Sequence, residues 1–173
     1  MPPRLTSIPL PVARFVPGAQ TSGPRPGHAA VHSPGWPAEP SRWGESFDYL
    51  YGVDLFNHGF FWEAHESLET VWKQLGGGRQ GGESGAETAE VAAARGVVRG
   101  VIQVCAASVK REIGNRVGVE RLLERAAANF DVRGIDGPRS GLIMGLEVRA
   151  WWPEARGALR CGQVPPPIVL DGE

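Results

Sequence analysis

Phe56-Asn57-His58-Gly59-Phe60-Phe61-Trp62-Glu63-Ala64-His65-Glu66-Ser67-Leu68-Glu69-Thr70-Val71-Trp72 is the stretch that decides the fold. Asn57-His58-Gly59 signals a turn, because Asn and Gly both tolerate left-handed backbone. After it, apolar side chains recur at helical spacing and predict a helix over about 60–75. At about 100° per residue, Phe60, Phe61, Ala64, Leu68, Val71, Trp72 and Leu75 share one arc, which is expected to face a core. Trp62, His65, Glu66, Glu69 and Lys73 share the next arc. Glu63, Ser67, Thr70 and Gln74 complete the wheel and are expected in water. A tryptophan among acids predicts a second contact surface over the middle arc, made by another helix, by an N-terminal strap or by a second subunit.

The chemistry of this chain sits on that arc. His65 and Glu69 are four residues apart and Glu66 and Glu69 three apart, spacings that bring side chains together on a helix. Two close carboxylates under partial cover repel, which raises the pKa of one of them; an adjacent imidazole moderates this by taking a proton. Glu66, Glu69 and His65 are therefore candidate catalytic groups, and the same three are candidate ligands for a divalent metal. Asn57, Trp62, Trp72 and Gln103 are candidate ligand-binding residues. Gln103 stands in the apolar run Val101-Ile102-Gln103-Val104-Cys105, where an amide requires partners, and it is expected to face the cluster from the third helix. Cys105 reads as a small core residue. The His-Glu-x-x-His pattern of zinc peptidases is incomplete, since Glu69 stands where the second histidine would be. Ferritin-like dimetal bundles need two Glu-x-x-His helices, which this chain does not carry. The open readings are a structural polar network, a metal-supported hydrolase, a small-ligand-binding protein, and an interaction protein with Trp62 at an interface.

Ten of the 15 prolines fall in residues 1–40. Proline fixes φ and biases its predecessor to extended geometry, so this segment is expected to be extended or disordered. Phe15, Val16, Val31 and Trp36 could dock it on a helical body, and removing residues 1–12 is expected to leave stability nearly unchanged. His28 and His32 are spaced i, i+4, but nearby prolines argue against a helix that would pair them. A first helix starts near Ser41–Ser46, with Phe47, Leu50, Tyr51 and Leu55 at helical spacing. Residues 76–82 are a Gly-rich loop. Ser84-Gly85-Ala86-Glu87 matches a capping box and predicts a third helix to about Ile113, ended by Gly114-Asn115. Gly96 and Gly100 on that helix predict close approach of the second helix. A fourth helix is expected over about 117–130, and a last one over about 142–152, ended by Pro153. No alternating run predicts a sheet. The division is thus a Pro-rich segment (1–40), a helical bundle core (41–135), and a C-terminal helix with extended tail (136–173). The fold class is all-α, a small antiparallel bundle of about four to five helices.

Phe56-Asn57-x-Gly59-x-Phe61-Trp62-Glu63-Ala64-His65-Glu66-x-Leu68-Glu69-x-x-Trp72 and Arg99-Gly100-Val101-Ile102-Gln103-Val104 resemble the two signatures of the bacterial "domain of unknown function 309" family. Arg14-Phe15-Val16-Pro17-Gly18, Tyr49 to Asn57, and Gly114-Asn115 with Glu120 to Ala126 also fit. The resemblance covers most of residues 14–135. It implies a compact all-helical fold and supplies no activity. The Gly-rich loop at 76–82 and the tail after Gly134 are the least typical parts.

Composition narrows the classes further. Apolar residues make up 42%, charged residues 21%, and the net charge is -1, which fits a soluble globular chain. No basic excess or stripe points to nucleic acid. Cys105 and Cys161 lack metal or disulfide-scaffold spacing, so a reducing, cytoplasmic setting is the simpler expectation. The most apolar run, Val97–Val109, contains Arg99 and reads as a core helix rather than a membrane span. Partners are left as a small molecule or a protein, with a homo-oligomer open, and the cofactor as unknown, a divalent metal being the candidate.

Overall fold

Local signals set the ends of each element. The computed structural model describes residues 3–17, 39–78, 88–131 and 142–171. A 3₁₀ segment, Pro40–Glu45, leads into α1 (Phe47–Asn57), whose N-cap Ser46 accepts from the Tyr49 amide. The turn at Asn57-His58-Gly59 forms as expected, with Gly59 at φ 80°, and α2 (Phe61–Gln74) follows. Thr88 caps α3 (Ala89–Glu112) by accepting from the Val91 amide. Asn115 caps α4 (Arg116–Phe130) by accepting from Gly118. Residues 84–87, His28, His32, Val31 and Trp36 lie outside the described residues.

The C-terminal part corrects the sequence expectation. Leu142–Ile143 (β1) and Leu146–Glu147 (β2) pair antiparallel around Met144 and Gly145, at φ 50° and 76°. Two successive left-handed residues suit the tight hairpin turn that twisted strands favour. Then α5 (Val148–Arg160) runs through Pro153 instead of ending there. Proline removes one backbone bond, but it lies on the exposed side, and Val148, Trp151, Ala155 and Leu159 continue the buried stripe across it. The extended tail returns to the bundle: Asp171 N donates to Gly145 O at 2.8 Å, and Trp151 Nε1 to Pro166 O at 3.2 Å.

The molecule is all-α apart from that hairpin. The helix α3 is central, packed on α2 along one side and α4 along the other. Leu55, Leu68, Val71, Val97, Val98, Val104 and Leu123 form the middle of one continuous core. At 24 residues, α3 is the single helix among those described that is long and apolar enough to cross a membrane, yet 56% of its most apolar window is buried within the protein, as befits a core helix. Gly100 does mark a close approach, but to α4 rather than α2: a Cβ there would lie 2.5 Å from the Phe130 ring.

Candidate functional site

The middle arc of α2 gathers as the wheel predicts. His65 Nε2 lies 3.8 Å from Glu69 Oε1, and Lys73 Nζ lies 3.7 Å from Glu69 Oε2. Both separations exceed hydrogen-bonding distance, so Lys73 and Glu69 interact by charge alone, and His65 does so only when protonated. The His65 side chain is 24% exposed and that of Glu69 41%. The imidazole stacks on Trp62, with ring centroids 5.7 Å apart and an interplanar angle of 17°. Burial lowers the His65 pKa; Glu69 and Glu66 oppose that and Lys73 adds to it, leaving the ring more readily neutral than an ordinary histidine. Its Nδ1 is buried and makes no hydrogen bond.

The other residues expected at this site are committed elsewhere. The Gln103 carboxamide oxygen accepts from Asn129 Nδ2 at 3.0 Å, so it joins α3 to α4. Asn57 holds the C-terminal tail, donating to Ile168 O at 2.8 Å and accepting from Ile168 N at 2.7 Å. Trp72 carries the Arg99 guanidinium 4.7 Å over its ring. Among the described residues, no group of three His, Cys, Asp or Glu side chains is arranged to hold a metal ion.

Residues 49–122 match the model of the family described as domain of unknown function (DUF309). Over those residues the chain is similar to the DUF309 family. Neither the comparison with curated proteins nor that with solved structures finds a match. The matched span takes in α1, α2, α3 and the start of α4, and so holds the whole His65–Glu69 arc.

Two further acids within the matched span escaped the sequence reading. Glu63 was expected in water; it is 1% exposed, and Asp54 is 0% exposed. Both are covered by the segment 3–17, which lies outside the matched span. Asp54 accepts from Leu5 N (2.7 Å), Thr6 N (2.9 Å) and Thr6 Oγ1 (2.7 Å), with Arg4 Nε at 3.0 Å. Burial acts to raise its pKa, but these four donors outweigh it and hold the carboxyl below the usual range. Glu63 Oε1 accepts from Phe15 N at 2.7 Å, while Oε2 is buried with no hydrogen bond. Between them Tyr51 donates its hydroxyl to Pro9 O at 2.9 Å. Burial raises the Tyr51 phenol, Arg4 opposes, and Asp54 and Glu63 add to the rise, so one polar layer runs beneath the segment. The segment is also what covers the α2 arc: Phe15 meets Trp62 edge-on, centroids 5.2 Å apart. The sequence hints were the apolar Phe15 and Val16 of a Pro-rich strap that was one of three expected covers for the arc.

Proposed function

We propose that this helical bundle is a cytoplasmic binding module that takes a small cation on the His65–Glu66–Glu69 face of α2. The observation that carries this is an imidazole stacked on Trp62 and 3.8 Å from the Glu69 carboxylate, with burial lowering its pKa. Glu69 offers acceptors on this face, and Lys73 reaches it at 3.7 Å, beyond hydrogen-bonding distance. Binding is favoured over hydrolysis because nothing fixes the ring chemically. A catalytic or metal-bound histidine normally spends its second nitrogen on an acceptor that sets the tautomer, and His65 Nδ1 has no such bond. An interface role for Trp62 is less favoured, because its ring already lies between Phe15 and His65.

The ligand chemistry this fits is an organic ammonium ion received by carboxylate and imidazole, since no group of three ligating side chains among the described residues is arranged for a metal ion; a divalent metal is the competing occupant. Titrating the protein with zinc chloride and, separately, n-butylammonium chloride separates them. The His65 ring resonances are expected to shift with one of the two, and Glu69→Gln to weaken that binding about ten-fold or more, a loss near 1.4 kcal/mol. If neither probe moves the His65 resonances at millimolar concentration, the reading fails.

A further inference from the structure

The tight turn between α3 and α4 forms a convex tip. Ile113 closes α3 and Val117 lies in the first turn of α4, on either side of Gly114 at φ 70°. Both side chains are apolar and meet water, with Ile113 39% and Val117 63% exposed. The helices α4 and α5 run antiparallel, since Phe130 packs on Trp151 and Glu120 pairs with Arg160. That register carries Val164, which is 58% exposed, to the same end of the bundle. Exposed aliphatic side chains scattered singly are ordinary, whereas several at one end mark a contact surface.

The same end is basic. Lys110, Arg111, Arg116 and Arg121 lie within about two helical turns of Gly114. The acids among them are Glu112 and Glu120, and both are engaged by arginines from distant parts of the chain. Arg14 reaches Glu112 at 3.2 Å, and Arg160 reaches Glu120 at 3.2 Å. Arg116 and Arg121 are exposed, and no acid among the described residues pairs with them. The whole chain carries a net charge of -1, so the excess is local. Its parts come from the N-terminal segment, the turn and α5, which is why no basic run shows in the sequence.

We propose that the α3–α4 tip is a docking surface for an anionic lipid bilayer, with Ile113, Val117 and Val164 entering the interface and Lys110, Arg116 and Arg121 lying against the headgroup phosphates. A bilayer surface offers an apolar layer directly beneath a layer of negative charge, and so satisfies both halves of this end at once. Nucleic acid phosphates would satisfy the arginines and leave the aliphatic side chains in water. A protein partner usually takes an aromatic or arginine anchor seated in a pocket, whereas the apolar part of this tip is aliphatic and convex. The contact is peripheral, because α3 itself stays in the core. None of the residues of the α2 cation site takes part.

Vesicle sedimentation with the full chain tests this. The unaltered protein is expected to sediment with vesicles of phosphatidylcholine and phosphatidylserine mixed at about 7:3. That binding is expected to fall about ten-fold or more on pure phosphatidylcholine, and likewise in about 0.5 M sodium chloride, which screens surface charge. Arg116→Glu and, separately, Val117→Asn are each expected to weaken it about ten-fold or more, the first through charge and the second through lost apolar burial. Both sites are exposed, so unchanged helical circular dichroism is expected in each variant. Arg42→Glu makes the same charge change ahead of α1, away from the tip, and is expected to alter binding by less than about three-fold. No sedimentation with the anionic vesicles would overturn the proposal. Equal weakening by Arg116→Glu and Arg42→Glu would assign the attraction to net charge and overturn this surface. Binding of polyuridylate RNA that depends on Arg116 but not on Val117, without vesicle binding, would make the tip a polyanion site and overturn the bilayer.

Discussion

Asp54 and His65 show opposite responses to acid, and both are testable one residue at a time. The folded Asp54 carboxyl titrates below its unfolded value of about 3.9, held down by Leu5, Thr6 and Arg4. Its contribution is therefore fully present above that unfolded value and is lost as pH falls through the folded one. Asp54→Asn keeps one carbonyl acceptor and turns the other oxygen into an NH2 that faces either Leu5 N or the three donors of Thr6 and Arg4. It is expected to cost about 3 kcal/mol or more at pH 7, with the difference from the unaltered protein shrinking below about pH 4, as urea denaturation would show. His65 works the other way. Its folded pKa lies below the unfolded value of about 6.5, chiefly through burial. Between those values the unfolded chain binds the extra proton, so stability falls as pH drops through about 6.5 and levels off below the folded value. His65→Phe keeps a ring on Trp62 and removes the proton. The stability–pH curve of that variant is expected to be flatter in this window than that of the unaltered protein; parallel curves would show that the imidazole is not the source.

Helix pairing is where a local reading runs out. The turn at Asn57-His58-Gly59 and the stop at Gly114-Asn115 were legible because each is settled by a few adjacent residues. The α5 helix was cut short in the sequence reading because Pro153 is a strong local signal, and only its buried neighbours Trp151 and Ala155 outvote it. Gly100 was legible as a contact but not as a contact with Phe130, which is non-local information. That pairing now carries an expectation. With a Cβ 2.5 Å from the Phe130 ring, Gly100→Ala is expected to destabilise by about 1–3 kcal/mol through overpacking. Adding Phe130→Leu should recover part of that loss, whereas a shortened residue on α2 should recover none. Thermal melts of the three variants distinguish the two partners.

Across the whole molecule, the half-exposed arc of α2 was legible in the sequence and the fully buried acids were not. His65 and Glu69 approach by helical periodicity alone. Asp54 and Glu63 each accept from backbone amides 48 or 49 residues away, and a backbone amide leaves no mark in a sequence. For the same reason the first residues look dispensable on paper and are not so in the structure. Deleting residues 1–12 removes Arg4, Leu5 and Thr6 and leaves Asp54 a buried charge without those donors. The deletion is expected to cost about 3 kcal/mol or more, against the near-neutral effect expected from the sequence. If that cost is Asp54's, it depends on the carboxylate being there. Asp54→Leu keeps similar volume and removes the charge, and a buried charge replaced by an apolar side chain is often tolerated. The same deletion made in Asp54→Leu is then expected to cost clearly less than in the unaltered chain, a coupling read from the four denaturation midpoints as a double-mutant cycle. Equal costs in both backgrounds would assign the segment's stabilisation to its apolar contacts, such as Leu10, and not to the cradle around Asp54.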